Sequence, residues 1–381
     1  MEKRLIKVLE NHYEWALKQN FGIGIDEYQK QNKLNYPEAH AKYLSGLIYL
    51  YMCTKNRKYL NSSKYNLKWL IQNYNGKYKY LSWGLPFKWK KEKNDSYLIT
   101  TSFVLDSFQK YNQYIKKNVS KNNIFEIIKW IFNVNGGTYK DKYFYFNYSP
   151  EFKNEFIPNA VSEAVGILTY NFEKLKFKEK KLLISSINFI IDFQNYNGSW
   201  FYSNNNNFHI DLLHSAYVLE GLLKTRKNLE GIDNISKLNK KIDNSINKGI
   251  SFILENFTRK DGSFKERALL NLDNLKVTNC NIYLKHKLIS LFKYLNLYQE
   301  KETRLWGYAA FLRVVSLYNY IYNDSIDISD NLNYILNNLY NDKLHCFYYR
   351  KKEKHIFIRH QSHIFEALSM YIYNSKRSDW E

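Results

Sequence analysis

The stretch FHIDLLHSAYVLEGL carries Asp211 and His214 at i, i+3, a spacing that puts both side chains on one face of a helix. A carboxylate one turn from an imidazole fixes its tautomer and raises its basicity, as general acid/base chemistry needs. The same pair also suits a plainer role, with Asp211 as an N-cap and His214 as a satisfied core histidine. A second cluster, RHQSHIFEAL, places Arg359 and His363 at i, i+4 with His360 and Gln361 beside them. Just upstream, FYYRK supplies Tyr349 and Arg350. Arg350 and Arg359 are expected to grip a carboxylate or phosphate, and Tyr202 and Tyr349 to assist the proton transfer. Helix-end charges in solvent are the alternative. In WGLPFKW, Trp83, Phe87 and Trp89 offer flat faces for a sugar ring, or equally a core. Trp200, Trp306 and Tyr308 extend that aromatic set, and Glu38, His40, Asn159 and Glu163 add polar groups at two further helix starts.

Other chemistries are excluded by what the chain lacks. Gly22 and Gly24 in FGIGIDEYQK miss the third glycine and the preceding strand of a dinucleotide fingerprint. No GxxxxGK[ST], HExxH or GxSxG occurs. No His/Asp/Cys spacing forms a convincing metal site, so neither metal nor cofactor is expected.

These residues must be positioned by helices. SWGLPFKW, VNGGTYK, YNGSWFY and KDGSFKE put Gly84, Gly137, Gly198 and Gly262 after apolar helical stretches, and turns on one side of a repeat are expected there. Within 239–257, Ile242, Ile246, Ile250, Leu254 and Phe257 form one stripe, the mark of a helix with one solvent face. DLLHSAYVLEGLL, by contrast, is apolar nearly all round. Alternating one-sided and buried helices predict an all-α fold, an α/α toroid or six-hairpin-like barrel, spanning 1–381 as one domain. Pro37, Pro86, Pro150 and Pro158 stand before or at the first turn of expected inner helices, where a missing N–H costs nothing.

The chain has 381 residues, 45% hydrophobic and 18% aromatic, ample for a core and for Tyr-lined walls suited to a polyhydroxylated ligand. The formal charge of +21 favours anionic partners. Lys and Arg are nevertheless spread along the length, without a polybasic arm or a nucleic-acid signature, so no nucleic acid is expected. Cys53, Cys280 and Cys346 are far apart and odd in number, against a disulfide framework. The N-terminus is charged throughout with no apolar h-region, and a cytoplasmic protein is expected.

Gln194, Gly198 and Trp200 fit the Q-x-x-x-G-x-W spacing of triterpene cyclases, but neither DxDD nor DDxxD is present. The zinc-binding Asp-x-Cys of protein prenyltransferases is missing too, since Cys280 sits in TNCNIY. The ordered series Trp83-Gly84-Leu85-Pro86-Phe87-Lys88-Trp89, Ile99-Thr100-Thr101, Pro158-Asn159, Gly198-Ser199-Trp200 with Tyr202, Ile210-Asp211 with His214-Ser215, Val218-Leu219-Glu220 and Trp306-Gly307-Tyr308 resembles a poorly characterised group of bacterial and archaeal toroid proteins. That group is associated with surface-polysaccharide biosynthesis and is distantly similar to glucuronyl C5-epimerase. Leu85 departs from the aromatic usual at its position. The resemblance implies a carbohydrate-active protein, with epimerase, lyase and hydrolase on an acidic sugar all open. Its partner would be an acidic glycan or a lipid-linked or nucleotide-linked sugar, and peripheral membrane association is compatible with the charge. The alternatives are a non-catalytic glycan-binding or scaffold toroid and, further off, a prenyl or terpenoid enzyme.

Overall fold

In the computed structural model, which describes residues 1–89, 95–115, 121–204, 209–268 and 300–377, the chain adopts an α/α toroid. Cys280 and its TNCNIY surroundings lie outside the described residues.

Six helices form the inner ring: α2 (Pro37–Thr54), α4 (Leu98–Ile115), α6 (Pro158–Leu168), α8 (Leu212–Asn228), α10 (Leu305–Tyr322) and α12 (Ile358–Arg377). Each packs on the next, and α12 closes the ring against α2. Outside lie α1 (Glu2–Lys18), α3 (Arg57–Gln72), α5 (Lys121–Lys129), α7 (Phe177–Asp192), α9 (Ser236–Phe257) and α11 (Ser329–Tyr334). The sequence explains the layers. In α8, residues from Leu212 to Leu223 are buried on nearly every face, whereas α9 buries mainly one stripe that includes Ile242, Ile246, Ile250 and Phe257. Leu254, expected in that stripe, is 37% exposed, because the helix rotates it past the edge of the contact.

Pro37 and Pro158 occupy the first turns of α2 and α6, as their spacing predicts. The glycine turns are less uniform. Gly198 and Gly262 sit at φ +89° and +80°, which a side chain rarely tolerates. Gly84 instead bridges to Ser96, and Gly137 opens β3 (Gly137–Lys140), which pairs with β4 (Tyr143–Phe146). Two other antiparallel hairpins are β1 (Ile23–Asp26) with β2 (Gln29–Asn35), and β5 (Tyr340–Asn341) with β6 (Cys346–Phe347).

Because an outer helix stands between each inner helix and the next, the inner helices run parallel. Their N-terminal residues Glu38, Thr100, Asn159, Leu213, Trp306 and Arg359 line one mouth. Tyr49, Gln109, Ile167, Lys224, Leu317 and Met370, toward their C-terminal ends, line the other. A largely buried layer of charge, drawn from all six helices, reaches from the interior to the second mouth: Lys42, Asp106, Lys110, Glu163, Glu220, Lys224, Arg313 and Glu366. Lys42 and Lys110 reach Glu366 at 2.8 and 3.0 Å, and Arg313 reaches Glu220 at 2.9 Å. Burial alone would raise these carboxyls, but Arg313 and Lys224 hold Glu220 down at about 2, and Lys110 and Lys42 hold Glu366 lower still. Glu163 is pushed up, to about 7, by burial and by the neighbouring charge of Glu220. No described helix is long and apolar enough to cross a membrane.

Candidate active site

Asp211 is the N-cap of α8, with extended φ/ψ of −129° and 159°. Its Oδ1 accepts the His214 backbone N–H at 2.9 Å, while Oδ2 faces His214 Nδ1 at 2.6 Å and His209 Nε2 at 3.1 Å. The cap and the imidazole partner are therefore the same carboxylate, and the two readings of Asp211 are not exclusive. Burial opposes ionisation of Asp211, but the charge of His214 and hydrogen bonds from His209 and His214 outweigh it and hold the carboxyl well below its usual range. With Nδ1 turned to Asp211, His214 presents Nε2 as its remaining nitrogen, and the side chain lines the mouth at the inner-helix N-termini. Tyr202 stacks on His209 with centroids 4.9 Å apart and meets His214 edge-on at 4.6 Å. Burial pushes its phenol up to about 12, so it stays protonated.

The mouth is a narrow pocket of about 110 Å³ walled by aromatics, among them Tyr28, Trp89, Tyr97, Tyr148, Tyr217 and Trp306. Its polar groups include Glu38, Asn159, His214, Arg304 and Arg359. A directional hydrogen-bond chain runs behind the wall. Trp306 Nε1–H donates to the Tyr217 hydroxyl at 2.5 Å, Tyr217 faces His363 Nδ1 at 3.2 Å, and His363 Nε2 faces Glu38 at 2.8 Å. An indole can only donate, which turns the Tyr217 proton toward Nδ1 and leaves His363 neutral with its proton on Nε2. Burial pulls the His363 pKa down, in agreement.

The β1–β2 hairpin lies across this mouth. Its Asp26 clamps Arg359 through two bonds of 2.7 and 2.9 Å, and Glu38 takes the remaining guanidinium edge at 3.1 Å. Glu27 at the turn takes Arg304 on both oxygens at 2.9 Å and accepts from Tyr349 at 2.9 Å. Tyr28 leans on Trp89 at 4.7 Å. The glycines that are no dinucleotide motif have another use: a Cβ on Gly24 would lie 2.7 Å from Ile358, so only glycine lets the hairpin settle on α12.

Of the expected site residues, Trp89, Asn159, Tyr202, His214, Trp306 and Arg359 line the pocket, with Asp211 directly behind His214. The others serve elsewhere. Trp83 and Trp200 are core residues whose indoles donate to Leu70 and Ile190 carbonyls. Phe87 is buried beneath Trp89, edge-on at 6.5 Å. His40 stacks on Trp69 and bonds Asn66. Glu163 belongs to the central charge layer. Tyr308 donates to Glu302, and Gln361 pins β6 by bonds to both backbone groups of Phe347. His360 is buried against Trp306 and Tyr349, and Tyr349 itself bonds Glu27.

The arginines expected to grip an anion already have protein partners. Arg350 is held by Glu266, Glu353 and the Glu302 carbonyl, and Arg359 is filled by Asp26 and Glu38. No lysine lines this pocket among the described residues. Missed by the sequence reading were Asp26, Glu27, Tyr28, His209, Tyr217 and Arg304. The acidic pair Asp26-Glu27 inside a glycine-bearing segment was the available signal for the hairpin.

No family model matches the chain, and no curated protein is significantly similar in sequence. Solved structures are similar in fold. A family 76 glycoside hydrolase (mannosidase) from Bacteroides thetaiotaomicron VPI-5482 superposes with TM-score 0.67 at 9% identity, covering 98% of this chain and 100% of its own. A cellobiose 2-epimerase from Bacillus thermoamylovorans B4167 gives 0.62 at 12%, covering 98% and 100%. A polysaccharide lyase gives 0.62 at 12%, covering 100% and 98%. The architecture is thus the α/α toroid that these carbohydrate-active enzymes share. At such identities the likeness is one of fold, and function must be argued from the site.

Proposed function

We propose that this protein is a carbohydrate-active enzyme that removes a proton from a sugar carbon next to a carbonyl, giving epimerisation or, where an oxygen leaves from the neighbouring carbon, elimination. The observation that carries this is the Asp211–His214 pair, with Nδ1 on the carboxylate and the ring at an aromatic pocket. His214 Nε2 takes the proton, the C–H electron pair becomes the C=C of an enediolate, and the carbonyl oxygen takes the charge. Six parallel inner helices aim their partial positive ends at this mouth and favour that oxyanion. Tyr202, kept protonated, is the phenol beside the base. Return of a proton to the opposite face inverts the centre.

Hydrolysis is the weaker reading. It calls for two carboxyls flanking the scissile bond. Among the described pocket residues Glu38 is the one carboxylate, and it is committed to Arg359 and His363. An acidic sugar also gains little support, because Arg304 and Arg359 already face Glu27, Asp26 and Glu38. A neutral sugar, charged only in the transition state, suits arginines that are already paired. The sequence resemblance is compatible with a place in cytoplasmic assembly of surface polysaccharide, on a lipid-linked or nucleotide-linked sugar.

The test is proton exchange in D2O, followed by NMR over a panel of neutral and acidic sugars. Deuterium should enter at the carbon beside the carbonyl, and Asp211→Asn and His214→Asn should each slow entry by about 10²-fold or more. No exchange with any sugar, alongside measurable sugar binding, would leave the non-catalytic glycan-binding reading in its place.

A further inference from the structure

His209, Asp211 and His214 bring two imidazole nitrogens and one carboxylate oxygen to one point. The three donor atoms all lie within 4.8 Å of one another. Asp211 Oδ1 is spent on the helix cap, which leaves Oδ2 as a single ligand already aimed at both rings. For bonds of about 2.0–2.1 Å in a tetrahedral shell, neighbouring donors stand about 3.3 Å apart. The observed Oδ2 separations are 3.1 Å to His209 and 2.6 Å to His214, so these two pairs need shifts of less than about an ångström to reach that spacing. A carboxylate oxygen shared by two imidazole N–H groups is the proton-filled form of such a site: one divalent ion takes the place of two protons.

Access and orientation are also provided. The His209 and His214 side chains are 23% and 22% exposed, so the remaining coordination positions can reach water or a substrate oxygen. Tyr202 packs flat on one ring and edge-on to the other, holding both planes. Two imidazoles and one carboxylate on one side of an ion, with open positions opposite, is a donor set that suits first-row transition metals.

We propose that His209, Asp211 and His214 form a binding site for one divalent transition-metal ion of the zinc class, and that its occupation switches off His214 as a base. The second half rests on the reaction proposed above; the first does not. A metal on Nδ1 displaces the Asp211 hydrogen bond and puts the ring proton on Nε2, the nitrogen that the reaction needs bare. Such a site departs from the expectation from sequence that no metal is held here, because His209, two residues before the helix cap, turns its ring to Asp211 Oδ2.

The experiment is calorimetric titration of the intact protein with zinc chloride, with cobalt chloride followed by its visible absorption. One ion per chain is expected, with a cobalt spectrum typical of nitrogen and oxygen ligands. His209→Asn should weaken binding by at least about tenfold to hundredfold, with unchanged circular dichroism and Tm in the absence of metal. Zinc should then suppress deuterium exchange in the wild type and spare it in His209→Asn wherever that variant exchanges. Zinc binding lost in His209→Asn with no exchange in any protein keeps the metal site and removes the catalytic reading. Exchange that zinc leaves untouched, with no stoichiometric binding, overturns the metal site and keeps the catalytic reading. Equal affinity in His209→Asn and wild type likewise overturns it.

Discussion

Replacing Glu366 by Gln preserves shape and removes one charge from the buried layer. Glu366 faces Lys42 at 2.8 Å, Lys110 at 3.0 Å and Arg313 at 3.8 Å, with no exposure to solvent. Lys110 keeps Asp106 at 2.6 Å, and Arg313 keeps Glu220 at 2.9 Å. Lys42 keeps no ion pair among the described residues and is left against the Phe103 ring at 3.9 Å. Removing one partner of a buried pair costs about 3–5 kcal/mol. Burial already lowers the Lys42 pKa, so the lysine can shed its proton and bring the cost toward the lower end. The unfolding entropy over 381 residues is about 0.8 kcal/mol/K at ~2.1 cal/mol/K per residue. A loss of that size lowers Tm by about 4–6 °C. Guanidinium unfolding should show a lower midpoint at unchanged slope. Glu126→Gln, at the exposed Lys129–Glu126 pair, serves as control and should cost less than about 0.5 kcal/mol. Lys42→Met combined with Glu366→Leu should recover most of the loss, since neither charge is then stranded. A Glu366→Gln cost equal to the control would refute the reasoning, showing the layer to be solvated.

The depressed pKa of Glu220, about 2, gives the layer a pH signature. Its folded value lies below an unfolded one near about 4.3, so its contribution is present above pH ~4.3 and disappears as pH falls toward about 2. Chemical denaturation across that range should show the loss, and a flat profile would contradict the pairing. Gly221 lies where α8 touches α6, and a Cβ there would stand 2.2 Å from the Ser162 carbonyl oxygen. Gly221→Ala should therefore destabilise by about 1–3 kcal/mol despite alanine's better helix propensity, and a stabilised variant would show that the helices part easily. Glu27→Gln loosens the hairpin from Arg304, so hydrogen exchange over residues 23–35 should quicken; unchanged exchange would mean that strand pairing and α12 hold it instead.

The helical repeat was legible because burial leaves a local record. A helix packed on all sides must be apolar all round, as DLLHSAYVLEGLL is, and one packed on a single side must be striped, as 239–257 is. Pro37 and Pro158 marked helix starts for an equally local reason. The Asp211–His214 pair was legible too, since a spacing of three on a helix fixes contact without help from the rest of the chain.

What the sequence could not decide was which polar residues share a cavity. Arg350 and Arg359 look alike as cations near tyrosines, yet one is bound at the rim by Glu266 and Glu353 and the other is closed by Asp26 from more than three hundred residues away. Glu163, in the second turn of its helix, reads like a catalytic acid and instead meets Lys224 in the charge layer. His209 lies off the helix and joins Asp211 and His214 only in the folded chain, and the hairpin settles over the mouth where α12 accepts Gly24. Local patterns record what each helix buries. Which charges meet across the ring depends on how six hairpins close, and that is settled by packing between segments distant in sequence.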